Sequence, residues 1–78
     1  MNRIHVKSSD IRSIGWEPDE DDGTAGTLEI EYIRNNKIYT YFDVSEQTYK
    51  IILKAESVGR AARTLLAENS YTERLTTT

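Results

Sequence analysis

Two alternating runs joined by a pair of asparagines constrain this chain more than anything else in it. Leu28-Glu29-Ile30-Glu31-Tyr32-Ile33 alternates apolar with acidic residues, and Lys37-Ile38-Tyr39-Thr40-Tyr41-Phe42 runs back after Asn35-Asn36. Alternation of period two belongs to a half-buried strand, and two such runs around a short turn signal read as a β-hairpin. Asparagine accepts positive φ, so Asn35 and Asn36 are expected at the two central positions of a type I′ turn. That register places Tyr32 opposite Tyr39 and Ile30 opposite Tyr41. One face then carries Leu28, Ile30, Tyr32, Tyr39 and Tyr41 and is expected to be core. The other carries Glu29, Glu31, Ile33, Ile38, Thr40 and Phe42, polar except for a small apolar end.

The remaining segments read as a cover for that hairpin. Ile4 and Val6 alternate with His5 and Lys7 and predict a short edge strand. Ile11, Ile14 and Trp16 are spaced three and then two, which predicts a turn or bulge around Asp10 to Ser13 and a second strand whose Trp16 packs on the tyrosine face. Gly15 inside this pattern marks a close approach by a neighbouring group. Ser45 is an N-cap, followed by Glu46 in the first turn, with Val44 and Tyr49 at staple positions. Tyr49, Ile52, Leu53 and Glu56 share one helical face. Ser57 caps a second helix in which Val58, Ala61, Ala62, Leu65 and Leu66 align and Arg60, Arg63 and Thr64 point outward; Gly59 favours a break between the two helices. Weak alternation from Asn69 to Leu75 predicts a last strand or an extended arm. The expected fold is therefore α+β, an antiparallel β-meander of three to four strands followed by two short helices and a C-terminal strand or arm. Residues 1–75 form one domain and 76–78 a frayed tail.

At 78 residues, folding buries only about 60% of the unfolded chain's surface, so stability is expected to be modest and a partner subunit would add to it. The formal charge is −3, which argues against binding nucleic acid by bulk charge. Its distribution is uneven: residues 1–33 hold three bases against eight acids, and residues 34–78 hold seven bases against five acids. The chain has no cysteine, which removes disulfides, thiolate metal sites and thiol catalysis from consideration. No apolar run approaches a membrane span and no signal-peptide core opens the chain, so a cytoplasmic setting is expected.

The acidic stretch Glu17 to Gly26 reads as a surface loop between strands. Glu20, Asp22, Gly23 and Glu29 can be placed at positions 3, 5, 6 and 12 of a calcium-loop template. Position 1 is then Pro18, which has no ligating side chain, and Glu29 lies in a strand pattern where the motif needs a helix, so no metal site is expected. The only histidine, His5, has no second base or ligand beside it and reads as surface. Ser8-Ser9 lacks an adjacent general base, and the acids lie in a solvated loop or on outer strand positions. An enzyme, a cofactor and a small-molecule substrate are accordingly not expected.

Taken in order and spacing, Val6-Lys7-Ser8-Ser9-Asp10-Ile11, Ile14-Gly15-Trp16, Leu28 to Ile33, Tyr39 to Val44, Tyr49 and Ala55-Glu56-Ser57-Val58-Gly59 resemble the KTSC domain. This is a small bacterial and phage family also found at the C-terminus of some lysyl-tRNA synthetases. The resemblance spans residues 4 to 66 and implies a β-meander followed by helices, with no catalytic residue. Ser45 stands where the family usually has proline, and Arg60-Ala61-Ala62-Arg63 stands where it often has aromatic-Phe-Asn.

Two binding roles follow from the residues. Lys50, Lys54, Arg60 and Arg63 fall on the solvent faces of consecutive helices, with Arg74 or Arg34 extending them, a pattern suited to phosphates. Glu46 with Lys50 and Glu56 with Arg60 are also spaced for i, i+4 pairing on an ordinary solvated helix. The alternative is a protein-binding or homodimerisation module that uses the edge strand and the apolar side chains Ile33, Ile38 and Phe42.

Overall fold

The computed structural model describes residues 1–19 and 25–76. Its sheet has five antiparallel strands in sequential order: β1 (Ile4–His5), β2 (Ile11–Pro18), β3 (Gly26–Tyr32), β4 (Lys37–Val44) and β5 (Tyr71–Leu75). Helices α1 (Glu46–Lys54) and α2 (Val58–Leu65) lie between β4 and β5 in the chain. The fold is α+β, as the patterning predicts, and the C-terminal segment is a strand.

The core forms where one face of the sheet meets the helices. Ile11, Ile14, Leu28, Ile30, Tyr32, Tyr41 and Val44 from the sheet pack with Ile52, Val58, Ala62 and Leu66. The inward residues of the hairpin are thus those expected from alternation. Its register is not. Ile30 pairs with Tyr39 and Leu28 with Tyr41, two residues away from the expected pairing, because the connection spans residues 33–36. Only Asn36 takes positive φ, at 54°, while the Asn35 side chain accepts a hydrogen bond from the Lys37 N–H at 3.1 Å. A type I′ turn needs both central residues at positive φ, so the loop is longer. A slip of two leaves every side chain on its own face, which is why the core survives the correction.

The irregular spacing of Ile11, Ile14 and Trp16 is a β-bulge. The register between β2 and β3 shifts between Ile11 and Ser13, so that Ile11 and Ile14 both reach the core and are fully buried. A second bulge interrupts β3 and β4 between Gly26 and Leu28, with Asp43 at φ 60°. Asn69 holds this bulge by donating from its side-chain amide to the carbonyls of Phe42 at 2.9 Å and Asp43 at 3.2 Å. Gly15 faces the segment leading into β1: a Cβ there would lie 2.5 Å from the Asn2 carbonyl oxygen, the close approach expected of it.

Both helices start at the predicted caps. Ser45 Oγ accepts from the Thr48 N–H at 3.1 Å and Ser57 Oγ from the Arg60 N–H at 3.3 Å, each satisfying a donor the first turn leaves free. Residues 55–57 separate the helices. Trp16 does not pack on the hairpin tyrosines. Its ring stacks with Tyr49 of α1, centroids 6.3 Å apart, and its indole N–H donates to the Val44 carbonyl at 2.8 Å. The bulge and β2 register carry it beyond the tyrosines, opposite Leu28.

The sheet face away from the helices carries an ionic lattice. Arg3 donates to Ser13 Oγ at 3.1 Å and to Glu29 at 2.8 Å, Ser13 donates to Glu31 at 2.8 Å, and Arg74 reaches the other Glu29 oxygen at 3.3 Å. Ile38 lies between Glu31 and Arg74 in the strand register and is only 6% exposed.

Candidate functional site

Two segments that carry the family pattern, Ser8-Ser9-Asp10 and Ser57-Val58-Gly59, meet at one end of the sheet. The turn into β2 is drawn tight because Ser8 Oγ accepts from the N–H groups of both Asp10 and Ile11 at 3.1 Å. The Asp10 carbonyl then accepts from the Ile33 N–H at 3.0 Å, fastening the β3–β4 turn to the same place and bringing Arg34 with it. Gly59 completes the junction. A Cβ on it would sit 3.3 Å from the Asp10 side chain, so the missing side chain lets the first turn of α2 approach the carboxylate. Negative charge at a helix start is favourable.

Around Asp10 the three segments form a polar cleft of about 260 Å³, which also takes in Arg34, Arg60 and Arg63. Arg63 reaches Asp10 Oδ2 at 3.2 Å and Arg34 reaches Oδ1 at 3.9 Å. Arg60 has no carboxylate partner among the described residues. Its expected partner, Glu56, falls in the non-helical link, where i, i+4 geometry does not arise. Three arginines therefore line a cleft built around one carboxylate that two of them pair with, beside Ser8, Ser9 and Ser57. Such a site has donors in excess and suits an anion.

Arg34 also links the cleft to a cluster of tyrosines. Its guanidinium stands 6.0 Å from the Tyr32 ring centroid. Tyr32 meets Tyr39 edge-on at 5.0 Å, and Tyr71 of β5 stacks on Tyr39 at 5.2 Å and lies 5.4 Å from Tyr41. The inner members are structural. The hydroxyls of Tyr32 and Tyr41 are 3.4 Å apart, and burial pushes both phenols above their ordinary range. Tyr71 is half exposed, at 51%.

The residues predicted from the sequence divide. Arg60 and Arg63 converge on the cleft. Lys50 is exposed and lies 3.7 Å from Glu46, and Lys54 stands exposed in the last turn of α1. Arg74 is excluded from this surface. Its pairing with Ile38 puts it on the far side of the sheet, bound to Glu29. Arg34, the other residue expected to extend the patch, lies at the cleft. The apolar set Ile33, Ile38 and Phe42 does not form one surface either, because Ile38 is buried within the chain while Ile33 and Phe42 are exposed near opposite ends of β4. Sequence reasoning missed Asp10, on which Arg34 and Arg63 converge; its place in the turn before Ile11 was the available signal. A larger cleft of about 410 Å³ beside Phe42 and Asn69 is flanked by Asp43 and Glu68 and offers anions no cationic partner. Glu20, Asp22 and Gly23 of the calcium template lie outside the described residues. Among the described residues, no helix is long and apolar enough to cross a membrane.

A small sequential antiparallel sheet backed by two helices, with family motifs from two distant segments joined at one cleft, defines the class. The chain matches the KTSC domain family over residues 7–71. It belongs to that family. It is 32% identical over 60 residues to an uncharacterized protein of Stutzerimonas stutzeri (strain A1501), covering 77% of this chain and 76% of that one. The crystal structure of a KTSC domain protein from Yersinia pestis superposes with a TM-score of 0.75 at 30% identity, covering 95% of this chain and 94% of that one.

Proposed function

We propose that this KTSC domain is a non-catalytic module that binds the phosphate backbone of nucleic acid. The observation that carries the reading is the convergence of Arg34, Arg60 and Arg63 on one cleft lined by serine hydroxyls. Arginine presents a planar fork that matches phosphate oxygens, and hydroxyls supply further donors of the kind that position a backbone without reading sequence. Asp10 holds two of the three arginines in place and tempers their charge, which favours weak and reversible binding. The family's occurrence at the C-terminus of some lysyl-tRNA synthetases accords with such a role.

The test is a titration of the protein into fluorescently labelled RNA and DNA oligonucleotides at low salt, followed by anisotropy. Three phosphate contacts on a single strand give a slope of log affinity against log salt of about −2. Arg60→Ala combined with Arg63→Ala should reduce that slope and the affinity together, whereas Lys50→Ala with Lys54→Ala should change both less. Absence of binding at low salt, where screening is weakest, would overturn the reading.

A further inference from the structure

We infer that Asp10 makes the arginine cleft selective for RNA over DNA, by accepting a hydrogen bond from the ribose 2′-hydroxyl beside the bound phosphate. This rests on the phosphate-binding reading above and specifies which nucleic acid that site takes. Among the described residues, Asp10 supplies the only carboxylate that lines the cleft. A carboxylate that served solely to hold the arginines would engage both its oxygens with them. Here Oδ2 accepts from Arg63 NH1 at 3.2 Å, whereas Arg34 Nε stands 3.9 Å from Oδ1, beyond hydrogen-bonding distance. The side chain is 22% exposed, so Oδ1 is an ionised acceptor open to a ligand.

Arg63 brings a phosphate and this acceptor together. Its NH1 reaches Asp10, and a guanidinium carries five donors in a planar fork, so its other N–H groups remain for a phosphate shared with Arg60, which has no carboxylate partner among the described residues. A phosphate held in that way lies beside the carboxylate. On DNA the two negative groups then stand together with no donor between them. On RNA the sugar carbon next to the one that bears the 3′-phosphate carries a hydroxyl, the group by which a protein tells the two nucleic acids apart. That hydroxyl donates to Oδ1 while the arginines hold the phosphate, and a donor facing an ionised oxygen makes the stronger class of hydrogen bond. Two of the three serine oxygens in the cleft already accept: Ser8 Oγ from the Asp10 and Ile11 N–H groups, and Ser57 Oγ from the Arg60 N–H.

Anisotropy titrations at low salt decide the matter, with one labelled sequence of roughly 12 nucleotides prepared as RNA, as DNA and as 2′-O-methyl RNA. The methylated strand keeps the 2′-oxygen and has no hydrogen to donate. The wild type should bind RNA about tenfold more tightly than either of the others, the lower end of what a hydrogen bond to a charged group contributes. Asp10→Ala should raise the affinity for DNA and for the methylated strand and bring all three ligands level. Asp10→Asn keeps an acceptor oxygen without the charge, and its preference for RNA should fall between those of wild type and Asp10→Ala. Arg60→Ala with Arg63→Ala should weaken all three ligands. Equal binding of the three strands by the wild type would overturn the selectivity and leave the phosphate reading standing. RNA and its methylated form bound alike, both more tightly than DNA, would overturn it by showing that the cleft reads sugar shape and not the hydroxyl. A preference for RNA that persists undiminished in Asp10→Ala would overturn it too, by placing the contact at another residue. No binding by the wild type would overturn both readings.

Discussion

Arg63 reaches Asp10 across 53 positions of chain, NH1 to Oδ2 at 3.2 Å. The contact ties α2 to the turn that leads into β2, and it leaves a carboxylate in the middle of the cleft where an anion would sit. Asp10→Asn removes the charge and retains the shape and the backbone bonds of Asp10. The affinity for a polyanion should rise several-fold in the anisotropy titration. Stability should fall by no more than about 1 kcal/mol, because Arg63 is largely exposed and such pairs contribute little.

Gly15→Ala tests the close approach of the N-terminal segment. The new Cβ would lie 2.5 Å from the Asn2 carbonyl oxygen, a backbone atom just ahead of β1 that moves only with the chain leading into it. Displacement of β1 should cost about 1–3 kcal/mol in urea unfolding. Amide exchange at Val6, whose N–H donates to the Arg12 carbonyl, should speed up more than exchange in α2.

Burial separates two positions that look alike in composition. Ile30 is fully buried and Leu75 is 63% exposed. Ile30→Ala should destabilise by about 2–5 kcal/mol and Leu75→Ala by no more than about 0.5 kcal/mol, both measured as shifts in the denaturant midpoint. Similar losses at the two positions would mean that β5 is part of the cooperative core.

The Lys37–Glu73 ion pair makes the docking of β5 depend on pH. Its hydrogen bond to Lys37 holds the Glu73 carboxyl below its ordinary 4.5, and the same bond holds the Lys37 ammonium above its ordinary 10.5. A lowered carboxylate stabilises above its unfolded value and loses that contribution as pH falls through the folded one. A raised ammonium stabilises below its unfolded value and loses it as pH rises through the folded one. Protection of the β5 amides should therefore be greatest between about pH 5 and 10. Glu73→Gln should flatten the dependence at both ends while leaving β2 and β3 unchanged.

Alternation along Leu28 to Ile33 and Tyr39 to Phe42 was enough to sort the hairpin into faces, and Ser45 and Ser57 were enough to start both helices. The pairing itself was not legible, because an Asn-Asn turn fits loops of two or four residues, and both loops keep the same faces inward. For the same reason Arg60 and Arg63 could be placed from helical periodicity alone. Arg74 could not, since the side it takes depends on which β4 residue it faces, and that is a long-range fact. Arg34 was drawn to the cleft by the bond from Ile33 to the Asp10 carbonyl, which no local pattern announces. β5 was left open between strand and arm because a strand that is exposed along its whole length carries a weak hydrophobic signal.

The first four strands are each joined to the next by a short connection, so their hairpins close over short stretches of chain. β5 alone must return across residues 45–70 to find β4. Closing that longer loop costs entropy before any pairing repays it, and β5 brings little buried surface in exchange. The order of assembly follows: the meander and helices can complete the core first, with the last strand docking afterwards. The cleft at Asp10 is built entirely from segments that precede β5, so the proposed phosphate site does not wait for the last strand.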